Sequence, residues 1–424
     1  MPPATGQVWE RLPDVGNEYP IVDLVAFLPG PTSEADTLLR IEGAWGIYKY
    51  VPDHPDGPWD HLCAPICSPK SVAVTQAGSL LIGSPAGPLG VDRSTDGGRT
   101  WQRDVLDGTA ALFGSTLLGG AVFADDGFHA WRSLDDGAPG TWEKLGGLGG
   151  FPVDYGEVPP SDALPQGRML AAVYNGVTTS DDGGETWTPT DGAFGSGTVA
   201  WSLAFAEEPG HPYGGYALAG LGTRSEDNGV VVRSDDGGVT WVVAHRFDPE
   251  VYGLEEVTRV EVAVSPDGSV WAGLARTQDG PRYNWLGSVA RSSDGAATFA
   301  PAAAGYEGGG VLSIAVGGDG RVYVGAASGL WRTVEPAVAE ERGPAPRALS
   351  VAVWPNPTAG GSTVEVSAPS RVEVVDALGR VVGAWESVRE RVEVDTSGWS
   401  PGAYVVRATG ADGASASAGL AVAR

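Results

Sequence analysis

The sequence predicts an all-β protein, in which repeated four-stranded sheets are followed by a smaller C-terminal sandwich of strands. Apolar residues occur in short runs without a sustained helical period, and the chain contains 64 glycines and 32 prolines. This composition is typical of many short strands joined by turns. An eight-residue pattern, Ser-x-Asp-x-Gly-x-Thr-Trp, also recurs along the chain. Such a recurrence indicates one supersecondary unit that is copied several times.

The recurring pattern predicts a hairpin turn at five places, which we call the first to fifth repeated turns. They lie at 94–101, 133–142, 180–187, 234–241 and 292–299; the second has an insertion, and the fifth lacks one glycine and the tryptophan. Aspartate accepts nearby backbone N–H groups and glycine adopts positive φ, while Thr-Trp restarts a strand. We therefore predict structural roles for Ser94, Asp96, Gly98, Trp101, Ser133, Asp135, Trp142, Ser180, Asp182, Gly184, Trp187, Ser234, Asp236, Gly238, Trp241, Ser292, Asp294 and Phe299.

A second pattern, of three short strands, precedes the repeated turns. With the strand after the turn, it makes the four-stranded unit of a propeller blade. The leading serines of the turns are 39, 47, 54 and 58 residues apart, close to the roughly 40–50 residues of such repeats. We predict a seven-bladed β-propeller over residues 1–335, with blades at about 20–62, 68–103, 107–145, 150–190, 197–245, 255–302 and 310–335.

The last predicted blade lacks a fourth strand of its own. Residues 7–12, Gln-Val-Trp-Glu-Arg-Leu, resemble the strand that follows the second repeated turn, Thr-Trp-Glu-Lys-Leu at 141–145. We therefore predict that this N-terminal strand completes the seventh blade and closes the ring. Closure would remove sheet edges that otherwise invite aggregation.

The C-terminal part of the chain is predicted to be a separate domain. Residues 336–348 contain three prolines and no strand alternation, which indicates a linker. Short alternating strands fill residues 349–424 and predict a small β-sandwich.

The repeated turns resemble the Asp box, or BNR repeat, of a propeller family that includes sialidases, xyloglucan-cleaving glycosidases, the sortilin ectodomain and a photosystem-assembly factor. The resemblance places each turn between the third and fourth strands of a blade, away from the ligand face. It therefore implies structural rather than catalytic roles for Asp96, Asp182 and Asp236.

The C-terminal domain resembles the type A sorting domain of the bacterial type IX secretion system. The matching segments are 355–357, 375–380, Asp395, 401–404 and 419–424. The resemblance implies export from a Bacteroidota-type cell through contacts of residues 349–424 with that machinery, so the protein is expected outside the cell or on its surface. Such proteins also carry a signal peptide. The first six residues show neither a basic start nor an apolar stretch, so we expect a trimmed start.

Composition excludes several other classes of function. A net charge of −26 disfavours nucleic-acid binding, which needs lysine and arginine to neutralise phosphates. No apolar run approaches the roughly 20 residues of a membrane-spanning helix. The histidines show no ligand spacing and no phosphate-binding loop is present, so we predict neither a metal nor a cofactor. Cys63 and Cys67 could form a local disulfide in an exported protein.

Two function hypotheses remain open. The first is a non-catalytic module that binds a polysaccharide or a cell-surface protein on the ligand face, where the turns between second and third strands and the links between blades lie. The alternative is that the long loops there are polar merely because water solvates them. The ligand-binding candidates are Arg224, Arg276, Arg282, Tyr283, Trp285, Tyr155 and Tyr252.

The second hypothesis is a secreted glycoside hydrolase of the xyloglucanase type, which needs two carboxylates across a cleft. The candidates are Asp227, Asp279, Glu226, Asp154 and Asp248. A sialidase is disfavoured because its Arg-Ile-Pro motif is replaced by Arg-Ile-Glu at 40–42. A photosystem-assembly-like scaffold is disfavoured by the sorting-like C-terminal domain.

Overall fold

The computed structural model describes residues 8–15, 21–28, 37–42, 46–51, 59–62, 71–75, 77–84, 90–107, 112–114, 121–126, 129–192, 194, 198–223, 229–276, 285–335, 351–354, 358, 360–366, 370–376, 380–389, 391–410 and 415–423. The chain divides into two compact units, residues 1–339 and 340–424. The predicted linker, Cys63 and Cys67 lie outside the described residues.

The first unit consists of short strands in mostly antiparallel sheets of four or five strands. Its strands are β1 (Trp9–Arg11), β2 (Leu24–Leu28), β3 (Thr37–Glu42), β4 (Gly46–Tyr50), β5 (Trp59–His61), β6 (Ser71–Val74), β7 (Leu80–Ser84), β8 (Gly90–Ser94), β9 (Gln102–Asp107), β10 (Leu112–Gly114), β11 (Val122–Asp125), β12 (His129–Ser133), β13 (Trp142–Gly147), β14 (Pro152–Val158), β15 (Arg168–Val173), β16 (Gly176–Ser180), β17 (Thr188–Pro189), β18 (Asp191–Gly192), β19 (Thr198–Glu207), β20 (Gly215–Thr223), β21 (Val230–Ser234), β22 (Thr240–Arg246), β23 (Arg259–Val264), β24 (Val270–Arg276), β25 (Leu286–Ser292), β26 (Ala300–Pro301), β27 (Val311–Val316), β28 (Val322–Ala326) and β29 (Gly329–Thr333).

Within the described residues, these strands form seven sheets, numbered in chain order. Sheets 1 to 4 take β2–β5, β6–β9, β10–β13 and β14–β17; sheet 5 takes β19–β22 with β18 parallel to β22; sheet 6 takes β23–β26. Sheet 7 consists of β27–β29 and β1. A short 3-10 helix, Pro249–Tyr252, lies between sheets 5 and 6. This arrangement is the predicted all-β propeller architecture.

The first strand of each sheet is the inner strand of the ring. β2 contacts β27 and β6, β6 contacts β10, β14 contacts β19, and β23 contacts both β19 and β27. Because successive strands of a sheet run in opposite directions, the sheet-to-sheet links and the turns between second and third strands lie on one face, the link face. The repeated turns, between third and fourth strands, lie on the opposite face, the repeat face.

Apolar side chains from neighbouring sheets form the core between them. Leu39 and Ile41 of sheet 1 pack with Leu80 and Ile82 of sheet 2, and all four are fully buried or nearly so. Each such side chain contributes about 1.5–3 kcal/mol relative to exposure in water. The regular apolar layers thus hold each sheet against the next.

The N-terminal strand closes the ring, as the sequence analysis predicted. Trp9 of β1 pairs with Thr333 of β29, and Arg11 pairs with Trp331. The Trp9 indole is 4% exposed and its Nε1 donates to the Ala302 carbonyl at 2.6 Å. The N-terminus therefore supplies the outer strand of the last sheet.

The first repeated turn is held by its own side chains. The Ser94 hydroxyl donates to Asp96 Oδ1 and accepts from the Gly98 N–H, both at 2.8 Å. Asp96 Oδ2 accepts the Thr100 hydroxyl at 2.6 Å, and Trp101 Nε1 donates to the Gly98 carbonyl at 3.0 Å. Bonds from Thr100 lower the pKa of Asp96 to about 2. The third, fourth and fifth turns repeat the bonds of the serine, aspartate and threonine.

The two altered turns depart locally from this geometry. In the second turn, the insertion places the Thr141 hydroxyl 2.6 Å from Ser133 Oγ, and Thr141 also donates to the Ala138 carbonyl at 2.7 Å. In the fifth turn, Ala296 replaces the second glycine yet keeps its positive φ of 72°. The fifth turn therefore keeps a left-handed backbone conformation although alanine replaces the favoured glycine.

The second unit is a β-sandwich of two sheets. Its strands are β30 (Val351–Trp354), β31 (Gly361–Val366), β32 (Ser370–Asp376), β33 (Val381–Val388), β34 (Arg391–Asp395), β35 (Gly402–Gly410) and β36 (Ser415–Val422). One sheet has the order β30-β31-β34 and the other β33-β32-β35-β36. Buried valines from both sheets, including Val364 and Val394 from one and Val374 and Val406 from the other, form a single core.

Candidate functional site in the central channel

A cavity of about 330 Å³ lies among the inner strands of the ring. Its lining comes from β2, β14, β19, β23 and β27 and from Asp23, which directly precedes β2. Most of these lining residues lie near the starts of their strands, so the cavity is on the side of the link face. Its polar lining residues include Asp23, Asp154, Trp201, Arg259, Glu261 and Ser313.

Irregular strand pairing shapes this cavity. The pairing register shifts between Pro152 and Asp154 in β14, between Ala200 and Ser202 in β19, and between Val311 and Ser313 in β27. Each shift leaves one extra residue on the inner strand, and Trp201 is the largest of the three. Bulges of this kind re-aim side chains and are frequent beside functional sites. The three irregular strands all line the cavity.

Asp154 is held in place by backbone donors. Its Oδ1 accepts the N–H of Tyr155 at 2.9 Å, and its Oδ2 accepts the N–H of Leu203 in the next sheet at 2.8 Å. Burial raises the pKa of Asp154 to about 6, although these two bonds and the charge of Arg259 oppose the rise. The carboxyl thus has a fixed position and exchanges its proton near neutral pH.

Glu261 and Arg259 lie on one face of β23 because alternate residues of a strand point the same way. Arg259 Nε donates to Glu261 Oε1 at 2.6 Å, and its Nη2 donates to the Leu312 carbonyl at 2.7 Å. The guanidinium also stacks 4.4 Å from the ring centre of Trp201. Arg259 therefore connects the inner strands of sheets 5, 6 and 7.

Glu261 is a second carboxyl that titrates near neutral pH. It is 6% exposed. Burial raises its pKa to about 7; the charge of Arg259 opposes that rise and the charge of Asp154 adds to it. Two acids with perturbed pKa values in one cavity are typical of functional sites. Such a pair can bind cations or move protons at physiological pH.

The structure places the predicted carboxylates in different surroundings. Asp154 lines the cavity and lies on the inner strand β14. Asp248 caps the 3-10 helix by accepting the Glu250 N–H at 3.2 Å. The remaining candidates, Glu226, Asp227 and Asp279, lie outside the described residues.

The predicted ligand-binding residues are also dispersed. Arg276 pairs with Glu255 at 2.6 Å and Glu256 at 3.3 Å on the link before sheet 6. The Trp285 carbonyl accepts the Gly310 N–H at 2.7 Å. Arg224, Arg282 and Tyr283 lie outside the described residues.

Both predicted tyrosines pack against other aromatic rings; Tyr155 is buried and Tyr252 is partly buried. Tyr155 is 6% exposed and stacks edge-on against Trp187 at 6.2 Å. Tyr252 donates to the Phe299 carbonyl at 3.3 Å and packs on Phe247, and burial raises its pKa to about 12. These contacts give both tyrosines a role in packing, because large aromatic rings contribute most to stability when buried.

Sequence reasoning missed Trp201, Arg259, Glu261 and Ser313. One signal was present: Arg259 and Glu261 alternate with buried Val260 and Val262, which puts both charges on one face of a strand. Trp201 and Ser313 gave no such signal, since their orientation depends on the register shifts. The cavity therefore forms only when the inner strands of several sheets come together, and no single segment of the sequence predicts it.

The described part of the chain also yields two negative findings. It contains no group of three or more His, Cys, Asp or Glu side chains arranged to hold a metal ion. No helix in it has the length and apolarity needed to cross a membrane.

Solved structures show the propeller fold at low sequence identity. The GH74 xyloglucanase from Xanthomonas campestris matches with a TM-score of 0.56 and 16% identity, over 86% of this chain and 60% of that one. This chain therefore spans less than two thirds of that enzyme. The WD40 β-propeller domain of Doa1 matches with a TM-score of 0.52 and 12% identity, over 80% of this chain and 98% of that one. No curated protein matches the chain.

The C-terminal unit carries the informative family match. Residues 352–418 match the family described as the secretion system C-terminal sorting domain. This domain marks proteins that the type IX system delivers to the cell surface or to the outside. The chain is therefore an exported propeller protein with a C-terminal sorting domain.

Proposed function

We propose that this protein is a non-catalytic binding module, exported by type IX secretion, that recognises a polysaccharide or a cell-surface protein through its link face. The observation that carries the proposal is the cavity lined by Asp154, Trp201, Arg259 and Glu261. It combines an aromatic ring, a guanidinium and two carboxyls with apolar side chains such as Leu203 and Ile314, and a few convergent polar groups beside apolar wall are usual in a ligand site. The sorting machinery would contact residues 349–424.

We further infer that sheets 1 to 7 are the seven predicted blades and that the repeated turns are Asp boxes. The shared bonds of serine, aspartate and threonine support the second inference. In this arrangement both oxygens of these aspartates are used by the turn itself. The repeat face would then serve stability, and ligand recognition would belong to the link face.

A second candidate function is a secreted glycoside hydrolase of the xyloglucanase type. One specific observation favours it: Asp154 and Glu261 line the same cavity, and burial holds the pKa of each above its usual range. A carboxyl with a raised pKa suits a general acid, and its ionised neighbour suits a base or nucleophile. The two functions make opposite predictions about turnover.

The test uses the purified full-length chain and a panel of polysaccharides that includes xyloglucan. Binding is measured by affinity electrophoresis, and turnover by the release of reducing ends. We expect binding without turnover, weakened by Asp154→Asn and Glu261→Gln and unchanged by Glu143→Gln, an exposed glutamate of the outer strand β13. Reducing ends that vanish in both cavity variants would instead establish the hydrolase. If the protein bound none of the polysaccharides, the part of the proposal that names a polysaccharide ligand would be wrong.

A further inference from the structure

The outer strand of each propeller sheet presents an edge, and an unprotected edge can pair with a strand of another chain. Natural sheets protect such edges with charged residues, with proline or by keeping the strand short. Six of the seven outer strands that the structure describes carry a charge or a proline of this kind. The residues are Asp60 in β5, Arg103 in β9, Glu143 and Lys144 in β13, Pro189 in β17, Pro301 in β26 and Glu10 in β1.

β22, the outer strand of sheet 5, lacks this protection over most of its length. It is the longest of the described outer strands, with seven residues, and its one Asp, Glu, Lys or Arg residue is the last, Arg246. Val242 is 60% exposed and Val243 is 37% exposed. Valine also favours the extended conformation of a strand. β22 is therefore the outer strand best suited to pair with a further strand.

The first part of this edge already pairs with an additional strand. β18 runs parallel to β22, with Asp191 opposite Thr240 and Gly192 opposite Trp241. Beyond Trp241, no strand among the described residues pairs with the outer edge of β22. The edge is thus competent for strand pairing, and residues 242–246 remain open to another strand.

The two ends of β22 differ in charge. At its start, Asp191 lies opposite Thr240, and the Asp236 carboxylate accepts the Thr240 N–H at 2.9 Å. At its end lies the exposed Arg246. Two copies of β22 in antiparallel order would therefore bring the basic end of each strand toward the acidic end of the other. The strand is in this sense complementary to itself.

We propose that the protein forms a symmetric dimer in which residues 242–246 of two copies pair as antiparallel strands. A two-fold symmetric interface uses the same surface patch on both copies, and antiparallel pairing of identical strands has this symmetry. The net charge of −26 makes two copies repel one another in general. Contact is therefore favoured at β22, where the exposed valines carry no charge and Arg246 approaches acidic residues.

Antiparallel pairing would place the link faces of the two copies on opposite sides of the dimer. β22 follows the fourth repeated turn on the repeat face and runs toward the link face. The strand of the second copy runs the other way, so its propeller is inverted. Such a dimer would hold one ligand on each side. This consequence rests on the proposed function, whereas the pairing itself does not.

Sedimentation equilibrium of the full-length chain from about 1 to 200 µM tests the proposal, because small interfaces give weak complexes. We expect a monomer–dimer equilibrium with a Kd of about 10–100 µM. Val242→Lys should raise this Kd at least about tenfold, since lysine on an edge strand opposes pairing. Leu134→Lys is the matched control at a leucine of the second repeated turn that is 66% exposed, and it should leave the Kd unchanged.

A second variant tests the charges at the two ends of the strand. Arg246→Glu would make both ends acidic, so it should also raise the Kd at least about tenfold. Arg99→Glu is its control, because it changes the net charge equally at an exposed arginine of the first repeated turn. We expect Arg99→Glu to change the Kd much less.

Three results would overturn the proposal. A protein that stays monomeric at every concentration would show that the edge does not pair with a second copy. A dimer that Val242→Lys and Arg246→Glu both leave intact would have its interface elsewhere. Equal weakening by Arg246→Glu and Arg99→Glu would show an effect of net charge alone. Circular dichroism checks the fold of each variant, and Arg246→Glu remains informative if Val242→Lys does not fold.

Discussion

Each regular repeated turn uses up the hydrogen-bonding capacity of its aspartate. In the fourth turn, Asp236 accepts the hydroxyl of Thr240 at 2.6 Å and its N–H at 2.9 Å, and Ser234 donates to the same carboxylate at 2.8 Å. Gly238 follows with a φ of 90°, in the left-handed region that favours glycine. Both carboxylate oxygens of Asp236 are therefore engaged within the turn.

Gly238→Ala should destabilise the first unit by about 3 kcal/mol, from left-handed strain and overpacking together. A Cβ at this position would lie 2.5 Å from Leu170 Cδ2. Gly268→Ala is the matched control, since Gly268 has a φ of 80° with nothing within 4 Å of a Cβ. Gly268→Ala should lower the free energy of unfolding by only about 1 kcal/mol, because it adds backbone strain but no steric overlap. Urea unfolding of both variants measures the difference, and equal losses would contradict the packing argument.

At the level of the sheets, arginines fasten the second to fifth repeated turns to the preceding sheet. The arginine that directly precedes the leading serine donates to a backbone carbonyl in the next turn along the chain. The pairs are Arg93 with Asp136 at 2.6 Å, Arg132 with Gly183 at 3.0 Å and Arg233 with Gly295 at 3.1 Å. The repeated turns therefore tie neighbouring sheets together as well as closing hairpins.

The exceptions to this rule have physical reasons. Thr179 precedes the third turn, and Arg168 from the neighbouring strand β15 instead donates to the Gly237 carbonyl of the fourth turn at 2.9 Å. Arg291 precedes the fifth turn, but sheet 7 has no repeated turn to receive it. Its Nη2 donates to Asp267 within its own sheet at 3.0 Å. The sequence shows the arginine before the serine. The bond that this arginine makes to the neighbouring sheet is visible only in the structure.

Arg233→Ala should lower the free energy of unfolding by about 2 kcal/mol, because a charged hydrogen bond and a cation–π contact are lost together. The guanidinium lies 3.6 Å from the Tyr216 ring centre. Arg103→Ala is the control: it removes an exposed ion pair with Asp92 and should cost no more than about 0.5 kcal/mol. Chemical denaturation followed by circular dichroism compares the two. If Arg233→Ala lowered the free energy of unfolding no more than Arg103→Ala does, the inferred role of Arg233 in joining the two sheets would be contradicted.

At the scale of the whole first unit, the ring depends on a strand from the opposite end of the chain. Trp9 packs edge-on against Trp271 at 6.2 Å and Tyr306 at 5.7 Å. Arg332 of β29 adds an ion pair to Glu10 at 2.6 Å. The segment after β1 is held as well, since Trp59 Nε1 donates to the Pro13 carbonyl at 2.7 Å. Closure thus links sheets 6, 7 and 1.

Trp9→Ala should destabilise the first unit by about 3–5 kcal/mol, the usual cost of deleting a buried tryptophan. The melting temperature should fall, and the transition should broaden if the ring opens before the sheets melt. Val8→Ala serves as the control, because Val8 is 53% exposed in the same segment. Differential scanning calorimetry records both. A Trp9→Ala protein that melts like the wild type would refute closure by this strand.

Local features of the sequence were enough to predict the β class, the five repeated turns, the N-terminal closing strand and the C-terminal sandwich of an exported protein. Each of these features depends on local chemistry, namely the alternation of apolar and polar residues, the turn-forming residues, or a short sequence motif. The cavity could not be predicted in this way, because its lining residues Asp154, Trp201, Glu261 and Ser313 come from four different sheets. Register shifts and ring closure bring them together, and neither is encoded in the neighbourhood of any one residue. Burial inside that ring, a property of no single segment, then moves the pKa values of its two acids toward neutrality.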